Sequence, residues 1–314
     1  MTAISLHIHS FSYRFHLKYG PDGYDVFSYI DQMADAGFTG LNISANGPGY
    51  RDLCGTDDAH FAAVRRAVEK RGLKLEIDTS DTRPENMLRM LDVAAAVGAD
   101  QLRTYTKYQG SKRELLDWTI RDLKAVAPRA GELGIRIVLE NHEDFQGGEI
   151  AEILAAVNDP WVRALYDYGN SQMVGEEPAE ALARMLPWTT CVHIKDHVLL
   201  RHDGRLWVQG VTMGQGRLPI MDLTRRILDG GLRRLCFENV WAYTAPVKVP
   251  EAVLPATPCF AVDEAGSLLE GRDLPQAEAL AGEHRAWQEG WAWFRSALAQ
   301  AGIAVRPERE LAGD

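Results

Sequence analysis

Four short apolar stretches, each ending in a residue type that binds metals, constrain the fold of this chain most strongly. The stretches are GIRIVLENHEDF, VRALYDYGN, TTCVHIKD and RRLCFENVW, and they end at Glu140, Asp167, His193 and Glu238. Branched apolar residues favour strands, and helical segments lie between these strands. When parallel strands alternate with helices, the carboxyl ends of the strands converge on one site. We therefore expect these four side chains to meet.

The four residues form a donor set of three carboxylates and one imidazole. A set this rich in oxygen suits Mn²⁺ or Mg²⁺, with Co²⁺ as a further candidate, whereas structural zinc prefers thiolates and imidazoles. The sequence therefore predicts a metal enzyme that holds one divalent ion.

The first half of the chain repeats the alternation of strands and helices. The stretches ISLHIH, TGLNISA, LKLEID and QLRTYT put apolar residues on one face and polar residues on the other. The helices between them end at Gly37, Gly72 and Gly98. An open doubly wound sheet would show a glycine-rich phosphate fingerprint after its first strand, and the sequence has none. The pattern predicts an α/β fold, a single (β/α)8 TIM barrel.

The 314 residues suit one domain, with the barrel over about residues 4–240. An HDG turn between two strand-like runs predicts a hairpin inserted between barrel strands 7 and 8. The proline-rich segment of about 241–273 lacks periodicity and is typical of a lid or an interface loop. A C-terminal extension carries a helix over about 275–301. Pro128 is expected to kink or split the long helical stretch before the metal strands.

Three arginines lie four residues before three of the predicted ligands. These are Arg136, Arg163 and Arg234. Three cations at one level cannot occupy a packed barrel centre, so we place them at the opposite rim, paired with carboxylates or solvent.

Composition and charge exclude several classes of partner. The net charge of -10 argues against a nucleic-acid partner, which needs clustered cations. Signal-peptide and membrane-spanning patterns are missing, so no membrane partner is expected. The four cysteines are scattered without a C-x-x-C pair, which is typical of reduced thiols in a cytoplasmic protein. Part of the tryptophan-rich surface of the last helix is expected to meet a second subunit, in a homodimer or homotetramer.

The motifs LENHE, YDYGN, VHIKD, GQG and FENV follow one another in the second half of the chain. In this order they resemble the sugar isomerase/epimerase family, which has a xylose isomerase-like TIM barrel. The resemblance implies that Glu140, Asp167, His193 and Glu238 are the four ligands of one divalent ion. It also implies that Glu140 and Glu238 transfer protons on either side of the substrate carbon, and that the substrate is a small sugar or sugar acid.

The sequence departs from the ketohexose 3-epimerase branch of that family. Where that branch has a glutamate, a histidine and an arginine, this chain has Gln146, Asn170 and Leu199. Simple ketohexose epimerisation is therefore not expected. Arg103 and Lys195 instead suit a substrate bearing a carboxylate or phosphate. The alternative for these two cations is ordinary pairing with Asp78, Glu76 or Asp196.

Further candidate site residues lie close to the predicted ligands. His142, two residues beyond Glu140, is a candidate base or substrate ligand, or it bonds a backbone carbonyl. His9 and Asn170 are candidates for substrate contact. Asp196 is a substrate-binding candidate that alternatively orients a neighbouring side chain. Gly214 and Gly216 are expected to form a tight turn.

Three classes of function remain open from the sequence. The leading hypothesis is an isomerase or epimerase that acts on an oxo-sugar or sugar acid through a metal-stabilised enediolate. The alternative on the same scaffold is a lyase: a 3-oxo sugar acid decarboxylase such as 3-oxo-isoapionate decarboxylase, a dehydratase, or a C-glycoside-cleaving subunit. A phosphodiesterase like endonuclease IV would need more metal ligands and a basic groove. A binding subunit would be expected to lack a ligand.

Overall fold

A computed structural model describes residues 2–47, 49–265 and 267–311 of the chain. The strands in this part of the chain are β1 Thr2–His9, β2 Gly40–Ser44, β3 Lys74–Asp78, β4 Gln101–Thr104, β5 Arg136–Glu140, β6 Val162–Asp167, β7 Thr189–Ile194, β8 His197–His202, β9 Arg205–Gly210, β10 Arg234–Phe237, β11 Thr244–Pro246, β12 Val262–Glu264 and β13 Ile303–Val305.

Eight of the strands close into a parallel barrel. Strands β1 to β7 are neighbours in sequence order, and β10 pairs with both β7 and β1. His7 of β1, for example, pairs with Cys236 on one side and Gly40 on the other. The predicted TIM barrel is confirmed. β13, which the sequence did not reveal, pairs outside the ring with the start of β1.

Helices cover the outside of the barrel. They are α1 Arg14–Tyr19, α2 Val26–Asp35, α3 Asp58–Lys70, α4 Pro84–Val97, α5 Lys112–Leu133, α6 Gly147–Val157, α7 Pro178–Met185, α8 Ile220–Asp229 and α9 Gln276–Gln300. α3 begins at Asp58, because the carboxylate of the preceding residue, Asp57, accepts the backbone N–H of His60 and caps the helix. α5 continues as one helix through Pro128, so the expected split does not occur.

The insertion after β7 is a hairpin, as expected, and it recruits two more strands. β8 and β9 pair in antiparallel fashion around Asp203 and Gly204. The supposedly aperiodic segment of 241–273 adds β11 to β9 and β12 to β8, so that a four-stranded sheet forms beside the barrel. The sequence does not predict β11 and β12, because strands of only three residues show no alternation of apolar and polar residues.

The barrel rim opposite the predicted metal site is closed by ion pairs. Arg234 contacts Asp100 at 2.8 Å and Glu308 at 2.7 Å, and it also reaches Glu76 inside the barrel at 3.1 Å. The placement of this arginine at the far rim is as expected. Helices in the described ranges are all too short or too polar to cross a bilayer.

Candidate metal centre

The barrel brings the four predicted ligands to one end. Glu140 and Asp167 are the last residues of β5 and β6, His193 lies in β7, and Glu238 directly follows β10. The register places Asp167 opposite His193 across neighbouring strands. Each strand rises through buried branched residues on its outer face, so its polar end points into the barrel mouth. All four side chains are buried.

The imidazole of His193 stands between the carboxylates. Its Nδ1 lies 3.4 Å from Glu140 Oε1 and 4.0 Å from Glu238 Oε2. Ligand atoms of Glu140, Asp167 and His193 lie within 4.8 Å of one another, as do those of His9, His193 and Glu238. His193 is common to both groups, so the donors form one cluster.

Each predicted ligand contributes one buried atom that receives no hydrogen bond from the described residues. These atoms are Glu140 Oε1, Asp167 Oδ2, His193 Nδ1 and Glu238 Oε2. Buried polar atoms without hydrogen-bond partners are costly, and a bound cation would satisfy all four together. Three oxygens and one nitrogen also match the preference of a hard divalent ion. The donor set therefore fits the predicted metal.

Neighbouring amides hold the donors in place. The other carboxylate oxygen of Asp167 accepts backbone N–H groups from Gly169 at 2.9 Å and Asn170 at 3.0 Å. The side chain of Asn141 bonds both the N–H and the carbonyl of Asp167. The amide of Asn42 lies 3.3 Å from His193 Nε2, which leaves Nδ1 facing the carboxylates.

Two cations lie against the cluster. Arg103 donates to Asp78 at 2.9 Å and to Glu140, so both ends of its guanidinium are occupied. Lys195 Nζ lies 2.8 Å from Asp167 Oδ2 and 3.0 Å from Glu238 Oε2. Both cations thus pair with carboxylates of the protein. For Arg103 one partner is Asp78, which the sequence offers as the alternative to an anionic substrate group.

These cations set the charge of the carboxylates. Burial alone would raise the pKa of Glu238, but Lys195 and His9 outweigh it and lower the pKa to about 2. Burial opposes ionisation of Glu140 as well, and Arg103 nevertheless keeps its pKa well below the ordinary value. Both glutamates are therefore ionised at neutral pH and are able to bind a cation or accept a proton.

A cavity of about 320 Å³ opens directly above the cluster. Predicted site residues that line it are His9, Arg103, His142, Asn170, Lys195 and Glu238. His142 stacks on Tyr105 with ring centroids 3.7 Å apart. Burial lowers the pKa of His142 to about 4, so its ring is neutral at pH 7. Asn170 Nδ2 is buried and has no hydrogen-bond partner among the described residues, and His9 Nε2 lies 3.4 Å from Asp78 Oδ2.

Asp196 does not line this cavity. Its carboxylate accepts backbone N–H groups from Gly214 at 2.9 Å, Gly216 at 2.8 Å and Leu218 at 3.3 Å. A β-carbon on Gly216 would stand 2.0 Å from that carboxylate, so the GQG turn needs glycine there. This geometry gives no support to substrate contact by Asp196. It matches the alternative, in which Asp196 orients neighbouring residues.

Several features of the site cannot be predicted from the sequence. Tyr243, a candidate lid aromatic in the 241–273 segment, lines the cavity, but its pairing with Glu143, 100 residues away in sequence and at 3.0 Å, is not indicated by the sequence. Asn141 lies between two better candidates, and its role shows only in its bonds to Asp167. Asn42 lies on the polar face of its strand, which points into the barrel. That position alone does not show whether its amide supports the site or is only packed in the interior.

Comparisons with known proteins agree with this fold. A family model described as xylose isomerase-like TIM barrel matches residues 30–254. The chain is 25% identical to an uncharacterized Escherichia coli (strain K12) protein, YihM, over 72% of this chain and 68% of that protein. It is 23% identical to 3-oxo-isoapionate decarboxylase of Pectobacterium atrosepticum, over 69% of this chain and 77% of the relative.

Solved structures of sugar epimerases share the architecture. D-psicose 3-epimerase from Clostridium cellulolyticum, solved with D-tagatose, superposes with a TM-score of 0.66 at 13% identity, over 94% of this chain and 98% of that chain. The E. coli 3-keto-D-glucoside 4-epimerase YcjR gives a TM-score of 0.61 at 12% identity, over 93% and 99% of the two chains. A magnesium complex of a xylose isomerase-like protein from Mycobacterium smegmatis gives 0.56 at 17% identity, over 94% and 97%.

Proposed function

Because the chain belongs to the xylose isomerase-like TIM barrel family, we propose that it is a divalent-metal-dependent enzyme of sugar catabolism. Its substrate is an oxo-sugar or sugar acid, and the reaction begins with removal of a proton next to the carbonyl. The observation that carries the proposal is the convergence of four buried ligand atoms, none of which forms a hydrogen bond with the described residues, beside a cavity of about 320 Å³.

The proposed ion, Mn²⁺ or Mg²⁺, would be held by Glu140, Asp167, His193 and Glu238. When bound, it would supply the positive charge that stabilises the negative charge developing on the substrate oxygens during enediolate formation.

Side chains of the protein carry out proton transfer and bind the substrate hydroxyl groups. Glu238 lines the cavity and is ionised, so it is placed to accept the substrate proton. Glu140 is the proposed partner on the opposite side, oriented by Arg103. Neutral His142, flat against Tyr105, is placed to bond a substrate hydroxyl. Asn170 offers an unpartnered side-chain nitrogen for a further hydroxyl group. His9, which lines the cavity with its Nε2 3.4 Å from Asp78, is a further candidate for substrate contact.

A second candidate reaction is decarboxylation of a 3-oxo sugar acid. Loss of CO₂ from such an acid leaves an enolate with the same charge distribution as the enediolate. The resemblance to 3-oxo-isoapionate decarboxylase favours this candidate. A multi-zinc phosphodiesterase is less well supported, because both metal-ligand groups found within the described ranges share His193.

One experiment separates the two reactions. The purified protein with Mn²⁺ is incubated in D₂O with a panel of keto-sugars and 3-oxo sugar acids, and both deuterium uptake and CO₂ release are followed. Deuterium incorporation into an intact carbon skeleton supports isomerisation, and gas release supports the lyase. If all substrates in both classes remain unchanged, the proposal is wrong.

A further inference from the structure

A second cavity lies beside the proposed reaction site. It has a volume of about 560 Å³ and shares Phe11, Arg51 and Tyr243 with the active-site cavity. The rings of Phe11 and Tyr243 meet edge to face, with centroids 6.0 Å apart. The two cavities are therefore neighbours separated by a thin wall of side chains.

The walls of the second cavity combine aromatic faces with positive charge. Besides Phe11 and Tyr243, its lining includes Phe15, and its charged residues are Arg14, Lys18, Arg51, Arg272 and Glu270. Arg272 is paired with Glu270 at 2.9 Å, and Arg51 with Asp52 at 2.9 Å. Those two cations are thus already neutralised.

Arg14 and Lys18 are different, because neither has a carboxylate within salt-bridge distance among the described residues. The guanidinium of Arg14 lies between two rings, 4.3 Å from the centroid of Phe11 and 4.3 Å from that of Phe15. One of its nitrogens donates to the carbonyl of Trp241 at 2.7 Å. The other, Nη1, is buried and has no described partner. A buried guanidinium nitrogen without a partner is costly unless a ligand supplies an acceptor.

We propose that this second cavity is a substrate subsite that binds an apolar, preferably aromatic, group carrying a carboxylate or phosphate. The anion pairs with Arg14 and Lys18, and the body of the group packs on Phe11, Phe15 and Tyr243. A small inorganic anion would leave most of the volume and the aromatic walls uncovered. This inference rests on the proposed function in placing the reacting sugar in the adjoining cavity. It identifies the substrate class as a sugar derivative with a second, acidic substituent.

Binding of simple probes to the full-length protein tests the subsite without any turnover. Benzoate and phenyl phosphate present the two anions on an aromatic body, and benzamide is a neutral analogue of benzoate. Titration calorimetry and ligand-observed NMR are expected to show benzoate or phenyl phosphate binding about tenfold more tightly than benzamide, because a charge-assisted pair with arginine is lost. The stronger of the two acids identifies the anion.

Variants connect that binding to the named cations. Lys18→Gln changes an exposed residue and is expected to weaken binding of the acid about fivefold to tenfold, as is Arg14→Gln. Arg14→Lys keeps the charge and retains part of the affinity. The matched control Lys124→Gln, at an exposed position on α5, leaves it unchanged. Asp167→Asn also leaves acid binding unchanged, so loss of metal binding and loss of the subsite are distinguished.

Two results would overturn the subsite. One is equal affinity for benzoate and benzamide together with no preference for phenyl phosphate. The other is unchanged acid binding in both Lys18→Gln and folded Arg14→Gln.

Discussion

Glu238 is the residue whose chemistry the proposed reaction needs most directly. It lines the cavity, and Lys195 and His9 keep it ionised despite its burial. The Glu238→Gln variant keeps the size of the side chain but cannot accept a proton. We expect turnover of the substrate found in the panel to fall 10²- to 10⁴-fold, as is typical when a general base is removed.

Glu143→Gln is the matched control for that variant. Glu143 lines the same cavity, but it belongs to neither of the two groups of possible metal ligands. Its replacement is expected to change kcat less than tenfold. Solvent deuterium exchange by both variants, measured at saturating Mn²⁺, makes the comparison. Full exchange activity in Glu238→Gln would remove this residue from the proton-transfer step.

At the scale of elements, the turn after the hairpin depends on one buried carboxylate. Asp196, which follows β7, holds the GQG turn through backbone N–H groups, and Gly216 packs directly against it. Gly216→Ala is expected to destabilise the protein by on the order of 2–3 kcal/mol, because a methyl group would collide with the carboxylate. Urea unfolding gives the change in free energy.

Gly148→Ala provides the control for this substitution. Gly148 lies in the first turn of α6, and a β-carbon there would meet only Arg184 Cδ at 3.5 Å. Alanine is favoured over glycine in helices, so stability is expected to stay the same or rise slightly. Equal stability of the two alanine variants would show that the turn adapts without cost.

Much of this architecture could be predicted from the alternation of strands and helices. Apolar residues at every second position defined the barrel strands, and their polar ends placed Glu140, Asp167, His193 and Glu238 together. The short strands β11, β12 and β13 could not be predicted, because three residues give no periodicity and their pairing depends on distant partners. The pairing of Tyr243 with Glu143 is hidden for the same reason: it is set by the fold and not by local sequence.

Buried charged residues inside the barrel make the stability of the whole protein depend on pH. Glu76 is buried between His7 and Arg234. Burial would raise its pKa, but His7 and Arg234 outweigh burial and lower the pKa from 4.5 to about 2. A carboxyl whose pKa is lowered by folding stabilises the fold above its unfolded pKa. That stabilisation is lost as the pH falls from about 4.5 towards 2.

The effect of Glu76 is on the order of 3 kcal/mol by linkage. Glu76→Gln removes the titrating group, so its free energy of unfolding should fall less between pH 5 and pH 3 than that of the wild type. Glu85→Gln, at an exposed site on α4, serves as the control and should follow the wild-type curve. Urea unfolding at several pH values gives these slopes. Parallel curves for wild type and Glu76→Gln would contradict the assigned role of the buried pair.

The proposed reaction depends on one hard divalent ion held by Glu140, Asp167, His193 and Glu238. The most direct test is titration of chelator-treated protein with Mn²⁺. Calorimetry and the electron paramagnetic resonance signal of free Mn²⁺ monitor the binding. We expect one ion per chain, with affinity at least tenfold weaker in Asp167→Asn and unchanged in Glu143→Gln. Absence of Mn²⁺ and Mg²⁺ binding, or binding that Asp167→Asn leaves intact, would contradict it.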